Sequence, residues 1–423
     1  MTDRPPYEIP SMGEIAALPT NGLTVLSTFS GAGGSCLGFR MAGYRTVAAV
    51  EFVAAARETY AANFPDVPID ARDVREISGA DLLALAGVET VDVMEGSPPC
   101  ASFSSSGKLS RYWGETRDYS ETRQRTDDLF GEYVRLVGEI RPRVFVAENV
   151  AGLVRGVSKG YFLEIVASMR EIGYRVAARV LDAQWLGVPQ HRARVIFVGV
   201  RDDLGREPAF PAPFPYRYSM ADALPHLRRD VSPTDLDEPA NTVLTYGRGA
   251  SPGRSPTFSE FSVSDGHGPS YTERTLGGAP ARDRDLSADE PAPTVSATGI
   301  GTGFASEASV AEPVSLDGYA IAAEYDRLRP GESSDRYQNL ARPVPGEPCP
   351  TVTALGGSSP GIASVTHPTE RRKFYIWELR RLCGFPDDFV LTGNYAQQWE
   401  RCGRAVPPPM MRAVAAALTP VLS

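Results

Sequence analysis

Residues 23–200 alternate short apolar runs with amphipathic segments, and this rhythm restricts the fold more than any other feature of the chain. Leu23-Thr24-Val25-Leu26-Ser27-Thr28-Phe29 reads as a strand, followed by a glycine-rich turn and a helix over 35–41. A second strand is predicted over 46–50, a helix over 54–63 and a third strand over 91–94. Helical spacing over 127–140, a strand over 143–148, a helix over 162–172 and late strands over 175–181 and 195–200 complete the series. Strands separated by helix-length crossovers pair in parallel. The expectation is an α/β fold, a Rossmann-like, mostly parallel sheet with helices on both faces.

After residue 201 the texture changes: Pro, Gly and Ser rise, and helical periodicity returns only from about Trp377. Three similar segments stand in this stretch, Asp237-Glu238-Pro239-Ala240-Asn241-Thr242-Val243, Asp289-Glu290-Pro291-Ala292-Pro293-Thr294-Val295 and Gly346-Glu347-Pro348-Cys349-Pro350-Thr351-Val352. Their unequal spacing excludes a solenoid and reads as recurring turn-to-strand transitions. The expected division is a loose leader over 1–22, a catalytic and cofactor-binding domain over 23–200, a smaller loop-rich, mainly β domain over 201–370, and a segment over 371–423 that packs back on the first domain.

A net charge of −9 does not announce a nucleic-acid binder, but a cleft needs only local positive charge. The basic residues are almost all arginine, which suits bidentate phosphate and guanine contacts, though GC-rich coding is the better explanation of the bias. Cys36, Cys100, Cys349, Cys383 and Cys402 are odd in number and show no Cys-x-x-Cys spacing. Neither a disulfide framework nor a zinc site is indicated, so no metal and a cytoplasmic location are expected. No stretch has the apolar length of a membrane span.

The chemistry concentrates at predicted strand ends. Gly96-Ser97-Pro98-Pro99-Cys100-Ala101-Ser102-Phe103-Ser104-Ser105-Ser106-Gly107 follows the third strand. Two prolines fix the backbone before the cysteine, a presentation that suits a nucleophile; the alternative is a buried structural thiol. Phe29-Ser30-Gly31-Ala32-Gly33-Gly34 lies between the first strand and helix, where glycines permit close approach of a ligand and the helix start favours an anion. Glu51 ends the second strand, where an acid accepts ribose hydroxyls, and Asp73 stands where an adenine-binding acid falls. Glu148 ends the fourth strand, so a parallel sheet brings it towards Cys100. Alternation places Arg192 and Arg194 on one face, where they can hold a phosphate or a ring carbonyl.

Taken together these motifs resemble the cytosine-C5 DNA methyltransferases. The resemblance rests on the Phe29–Gly34 loop, Pro99-Cys100-x-x-Phe103-Ser104-x-x-Gly107, Glu148-Asn149-Val150, Gln190-x-Arg192-x-Arg194, Gly384-Phe385-Pro386 and Gly403-x-Ala405-Val406-Pro407, in family order. It implies S-adenosylmethionine held by Phe29, Gly31, Gly33, Gly34, Glu51, Phe52, Asp73, Val74, Pro99, Arg404 and Ala405. It implies Cys100 as nucleophile, Glu148 at N3 and the amino group, and Arg192 and Arg194 positioning the base and its phosphate. It further implies duplex DNA with a flipped cytosine as substrate, a closing loop with DNA contacts at Ser104, Gly107, Lys108 and Arg111, and target recognition by 201–370. A monomer is expected, with a restriction endonuclease as possible counterpart.

Three positions depart from the family pattern: Ala101 and Cys383 stand where it has Gln, and Arg404 where it has Asn. A cation at 404 repels the donor's sulfonium. Either Arg404 turns to solvent, or the donor is carboxy-S-adenosylmethionine and the product 5-carboxymethylcytosine. An RNA cytosine methyltransferase and a non-catalytic DNA-binding protein are the remaining alternatives.

Overall fold

The computed structural model describes residues 4–99, 117–119, 122–124, 128–155, 158–230, 259–261 and 314–423. The strands are β1 (Thr24–Thr28), β2 (Arg45–Val50), β3 (Ile69–Asp70), β4 (Val93–Gly96), β5 (Arg117–Tyr119), β6 (Thr122–Gln124), β7 (Val144–Val150), β8 (Tyr174–Asp182), β9 (Ala193–Arg201) and β10 (Ser259–Phe261). Eight of them form one sheet in the order β10-β8-β9-β7-β4-β1-β2-β3, and β5 pairs with β6 apart from it. From β3 to β7 every pairing is parallel, whereas β9, β8 and β10 add antiparallel.

The helices are α1 (Met12–Ala17), α2 (Gly34–Met41), α3 (Ala54–Asn63), α4 (Gly79–Ala86), α5 (Leu129–Ile140), α6 (Lys159–Glu171), α7 (Met220–Ala223), α8 (Ala320–Arg327), α9 (Ile376–Leu382), α10 (Tyr395–Arg404) and α11 (Pro408–Leu422). Successive strand residues feed opposite cores. Leu26, Met94, Phe145 and Phe197 pack with α4, α5 and α6, while Val25, Val93, Val146 and Val198 pack with α2 and α11. Burial on both faces is why these strands read as continuous apolar runs. α2 and α11 approach closely at Gly38, where a Cβ would lie 2.6 Å from Met411 Cβ and from the Pro408 carbonyl.

The antiparallel β8–β9 pair has a local cause. Only a short turn containing the 3₁₀ segment Ala183–Trp185 separates them, too short for a parallel crossover. Because β9 runs against β7, its first residues lie beside the last residues of β7, with Val150 opposite Arg194. A segment that precedes a strand thereby reaches the edge where the parallel strands end.

The stretch expected as a loose leader is docked. Ser11 and Glu14 form a capping box on α1, and Ile15 is buried. Arg4 pairs with Asp222 at 2.8 Å, and the Tyr7 hydroxyl donates to the Arg381 carbonyl at 2.9 Å. The boundary expected at residue 370 falls inside packed structure. Cys349, Val352 and Val365 share a core with Phe374, Leu379 and Trp399, and Lys373 Nζ donates to the carbonyls of Ser359 and Ile362. Of the three repeated segments only the one at 346–352 lies among the described residues; it forms a parallel bridge between Gln190 and Cys349. Residues 262–313 lie outside the described residues.

Candidate active site

A cleft opens at the edge where β1, β2 and β4 end. Its lining contains Phe29, Gly31, Gly34, Glu51, Phe52, Asp73, Val74, Pro99, Arg404 and Ala405, all expected there from the sequence. Gly33, also expected at the site, is not in the lining: it caps α2 with φ 89°, and a Cβ on it would meet the Phe64 ring at 2.3 Å. Phe29 holds a positive φ of 52°, the turn that carries the chain out of β1. Ser30, Ser35, Ser97, Leu129, Arg401 and Val406 also line the cleft, and the sequence reading had not singled them out. For Arg401 a signal existed, because it lies one helical turn before Arg404 on α10.

Glu51 is buried, and each carboxylate oxygen takes one backbone N–H, from Gly31 at 2.7 Å and from Val53 at 2.8 Å. A carboxylate oxygen has a second lone pair, so both can still accept hydroxyls from a ligand. Burial raises its pKa above the ordinary carboxylate value, while those N–H groups, Arg401 and Arg57 act the other way. Asp73 accepts from the Arg75 backbone at 3.0 Å and from Arg75 Nη1 at 2.7 Å, and Arg75 also pairs with Asp128 at 2.6 Å. Arg404 closes α10, with its Nε 2.6 Å from Glu400 Oε1.

A second group of polar residues sits at the ends of β4 and β7 and the start of β9. Arg194 Nε lies 2.9 Å from Glu148 Oε1. Asn149 Nδ2 donates to the Pro98 carbonyl at 3.0 Å, tying the end of β7 to the turn that leads to Cys100. Arg192 does not share the setting of Arg194. It is 2% exposed, and it donates to the carbonyls of Val352 at 3.2 Å and Gly403 at 2.9 Å. Burial and then the Arg194 charge lower its pKa, with Glu148 opposing. Gln190 is also buried, its Nε2 3.3 Å from Cys383 Sγ. Cys100, Ser104, Gly107, Lys108 and Arg111 lie outside the described residues. The four described cysteines are all buried, and burial pushes the Cys36 thiol up to about 12.

Among the described residues one cluster brings metal-ligand types together: His226, His367 and Glu378. His367 Nδ1 accepts the Glu370 N–H at 3.0 Å, which puts the neutral ring's proton on Nε2, and Arg372 holds Glu378 at 2.7 and 3.0 Å. Glu378 and His367 Nδ1 are committed to protein contacts, whereas His367 Nε2 is buried without a hydrogen-bond partner among the described residues, 3.7 Å from Glu378 Oε1.

The sequence matches the family described as C-5 cytosine-specific DNA methylase over residues 23–246 and 302–419. It is 30% identical over 397 residues to the type II methyltransferase M1.HphI of Haemophilus parahaemolyticus, covering 94% of this chain and 86% of that protein. It is 28% identical to the type II methyltransferase M.DdeI of Desulfomicrobium norvegicum, covering 93% and 88%. A crystal structure of a DNA modification methyltransferase encoded within a prophage of E. coli superposes with a TM-score of 0.59 at 21% identity, covering 95% of this chain and 99% of that one.

Proposed function

The chain belongs to the C-5 cytosine-specific DNA methylase family, and we propose that it transfers the sulfonium-bound group of its donor, methyl when the donor is S-adenosylmethionine, to C5 of a flipped cytosine in duplex DNA through a covalent bond between Cys100 and C6. The family uses S-adenosylmethionine as methyl donor, and its sulfonium supplies an electrophilic methyl group. The cleft fits that molecule. Glu51 retains acceptor capacity for two ribose hydroxyls, Phe29 and Phe52 offer aromatic surface for a base, and the glycine turn leaves room at the start of α2.

One observation carries the reading: the Glu148–Arg194 pair and the Asn149–Pro98 link stand at the same sheet edge as the cleft, with Pro99 lining it one residue before Cys100. Cytosine C5 is too weak a nucleophile to take the group unaided. Thiolate addition at C6 with proton delivery to N3 by Glu148 makes C5 an enamine carbon. Arg194 orients Glu148 and faces the base. After transfer, the C5 proton leaves and Cys100 is expelled by β-elimination. A stacked cytosine cannot reach these groups, so the base must be flipped at a cost of a few kcal/mol. Residues 201–370 carry target recognition in this reading. The same steps carry a carboxymethyl group if the donor bears a carboxylate beside its sulfur, and Arg404 in the cleft wall is the observation on that side.

The test is nucleoside mass spectrometry of duplex DNA incubated with the protein and S-adenosylmethionine. A mass gain of one methylene on deoxycytidine, absent with Cys100→Ser, supports the reading. Modification of adenine, or of transfer RNA alone, contradicts it.

A further inference from the structure

Two guanidinium groups stand in one wall of the cleft. Arg401 and Arg404 are both at the C-terminal end of α10, one turn apart, and both line the cleft together with Pro99 and Ala405. Arg401 is 4% exposed, and its Nε and Nη2 have no hydrogen-bond partner among the described residues. Its closest carboxylate is Glu400 Oε2, 3.7 Å from Nη2 and beyond hydrogen-bond reach. Glu400 makes its short contact with Arg404 instead. A buried charged donor left without an acceptor is costly, so a wall built this way is completed by an anionic ligand. A sulfonium donor brings the opposite sign. Glu400 offsets one of the two charges through Arg404, and Arg401 is the guanidinium left with open donors.

We propose that Arg401 and Arg404 form an anion subsite of the donor cleft that selects a donor carrying a second carboxylate, on the carbon that it transfers. The inference rests on reading the cleft as the donor site. Such a carboxylate neutralises the sulfonium locally and turns the repulsion of the arginines into charge-assisted hydrogen bonds. Pro99, one residue before Cys100 in the sequence, belongs to the same lining. In the transfer the bond from sulfur to the methylene carbon breaks with its electron pair going to sulfur. C5 of the Cys100 adduct forms the new carbon–carbon bond, and the C5 proton then passes to solvent as Cys100 leaves. The products are 5-carboxymethylcytosine and S-adenosylhomocysteine.

The test measures donor binding to the full chain without DNA, by calorimetric titration with S-adenosylmethionine and carboxy-S-adenosylmethionine. It is paired with nucleoside mass spectrometry when both donors compete. Wild type should bind the carboxylated donor at least tenfold more tightly and give mainly 5-carboxymethylcytosine. Arg404→Asn and Arg401→Gln should each reverse or erase the preference, and Arg401→Lys should keep part of it. Tighter binding of S-adenosylmethionine by wild type, with 5-methylcytosine as sole product and no change in Arg404→Asn, overturns the inference and leaves methyl transfer standing. Binding of neither donor overturns the reading of the cleft as well.

Discussion

Arg194 Nε sits 2.9 Å from Glu148 Oε1, with only 14% and 9% of the two side chains exposed. The pair exists because β9 runs antiparallel to β7, so a strand's beginning meets a strand's end. One carboxyl oxygen is thereby engaged, and the other is left for the base. Glu148→Gln should lower kcat by about 10²–10⁴, the usual worth of a positioned acid, while the Kd for S-adenosylmethionine changes less than about twofold. Single-turnover kinetics with separate donor titration check this. Normal turnover with weakened donor binding would place Glu148 in the donor cleft instead.

In the reading proposed here Arg192 acts by positioning. Its two carbonyl partners belong to the 346–353 stretch and to α10, so it ties the start of β9 to both. Arg192→Ala should cost about 2–4 kcal/mol in urea unfolding, because two buried carbonyls lose a charged donor. The salt dependence of DNA binding should keep its slope. A residue that contacts phosphate would instead reduce that slope by about one.

Glu95 gives the protein a pH-dependent term. The carboxyl is buried on β4, with Ser35 Oγ at 2.8 Å and a short contact from Ser27. Burial pushes it from 4.5 up to about 7, against the hydrogen bonds from Ser27, Ser35 and Cys36. A carboxyl raised in the folded state contributes stability that is complete below pH 4.5 and lost as pH rises through about 7. Glu95→Gln stays neutral throughout. It should match wild type near pH 4.5 and exceed it at pH 8.5 by on the order of 3 kcal/mol. Urea unfolding at the two pH values measures this, and equal stabilities at pH 8.5 would show that Glu95 ionises without penalty.

Exchanging 201–370 for the corresponding stretch of a relative should move the modified DNA site and leave the modified atom unchanged. Bisulfite sequencing of treated DNA reads the result. An unchanged target site contradicts the assignment of recognition to that stretch.

The parallel half of the sheet was legible because its strands are buried on both faces, so Val25-Leu26 and Val93-Met94 read as apolar runs whichever core each residue enters. Phe29, Gly31, Glu51 and Pro99 line one cleft because they follow strand ends, and a parallel sheet gathers such ends on one edge. Arg192 and Arg194 stand in different settings for a definable reason. Alternation of faces holds inside a strand, and Arg192 lies one residue before β9 begins at Ala193. The docking of residues 4–17 was not legible either, since its partners Asp222, Arg381 and Asp388 are more than 200 residues away in sequence. Arg401 joins the cleft lining because α10 carries it one turn before Arg404.

The central claim is covalent catalysis by Cys100 on cytosine. Duplex DNA containing 5-fluorocytosine tests it most directly, because fluorine at C5 cannot leave as a proton and the adduct cannot break down. With donor present, the protein should form a complex that survives denaturing electrophoresis, with the DNA mapped to Cys100 by peptide mass spectrometry, and Cys100→Ser should form none. Trapping of Cys100→Ser at wild-type levels, or no trapping by a wild type that modifies ordinary DNA, would contradict the account.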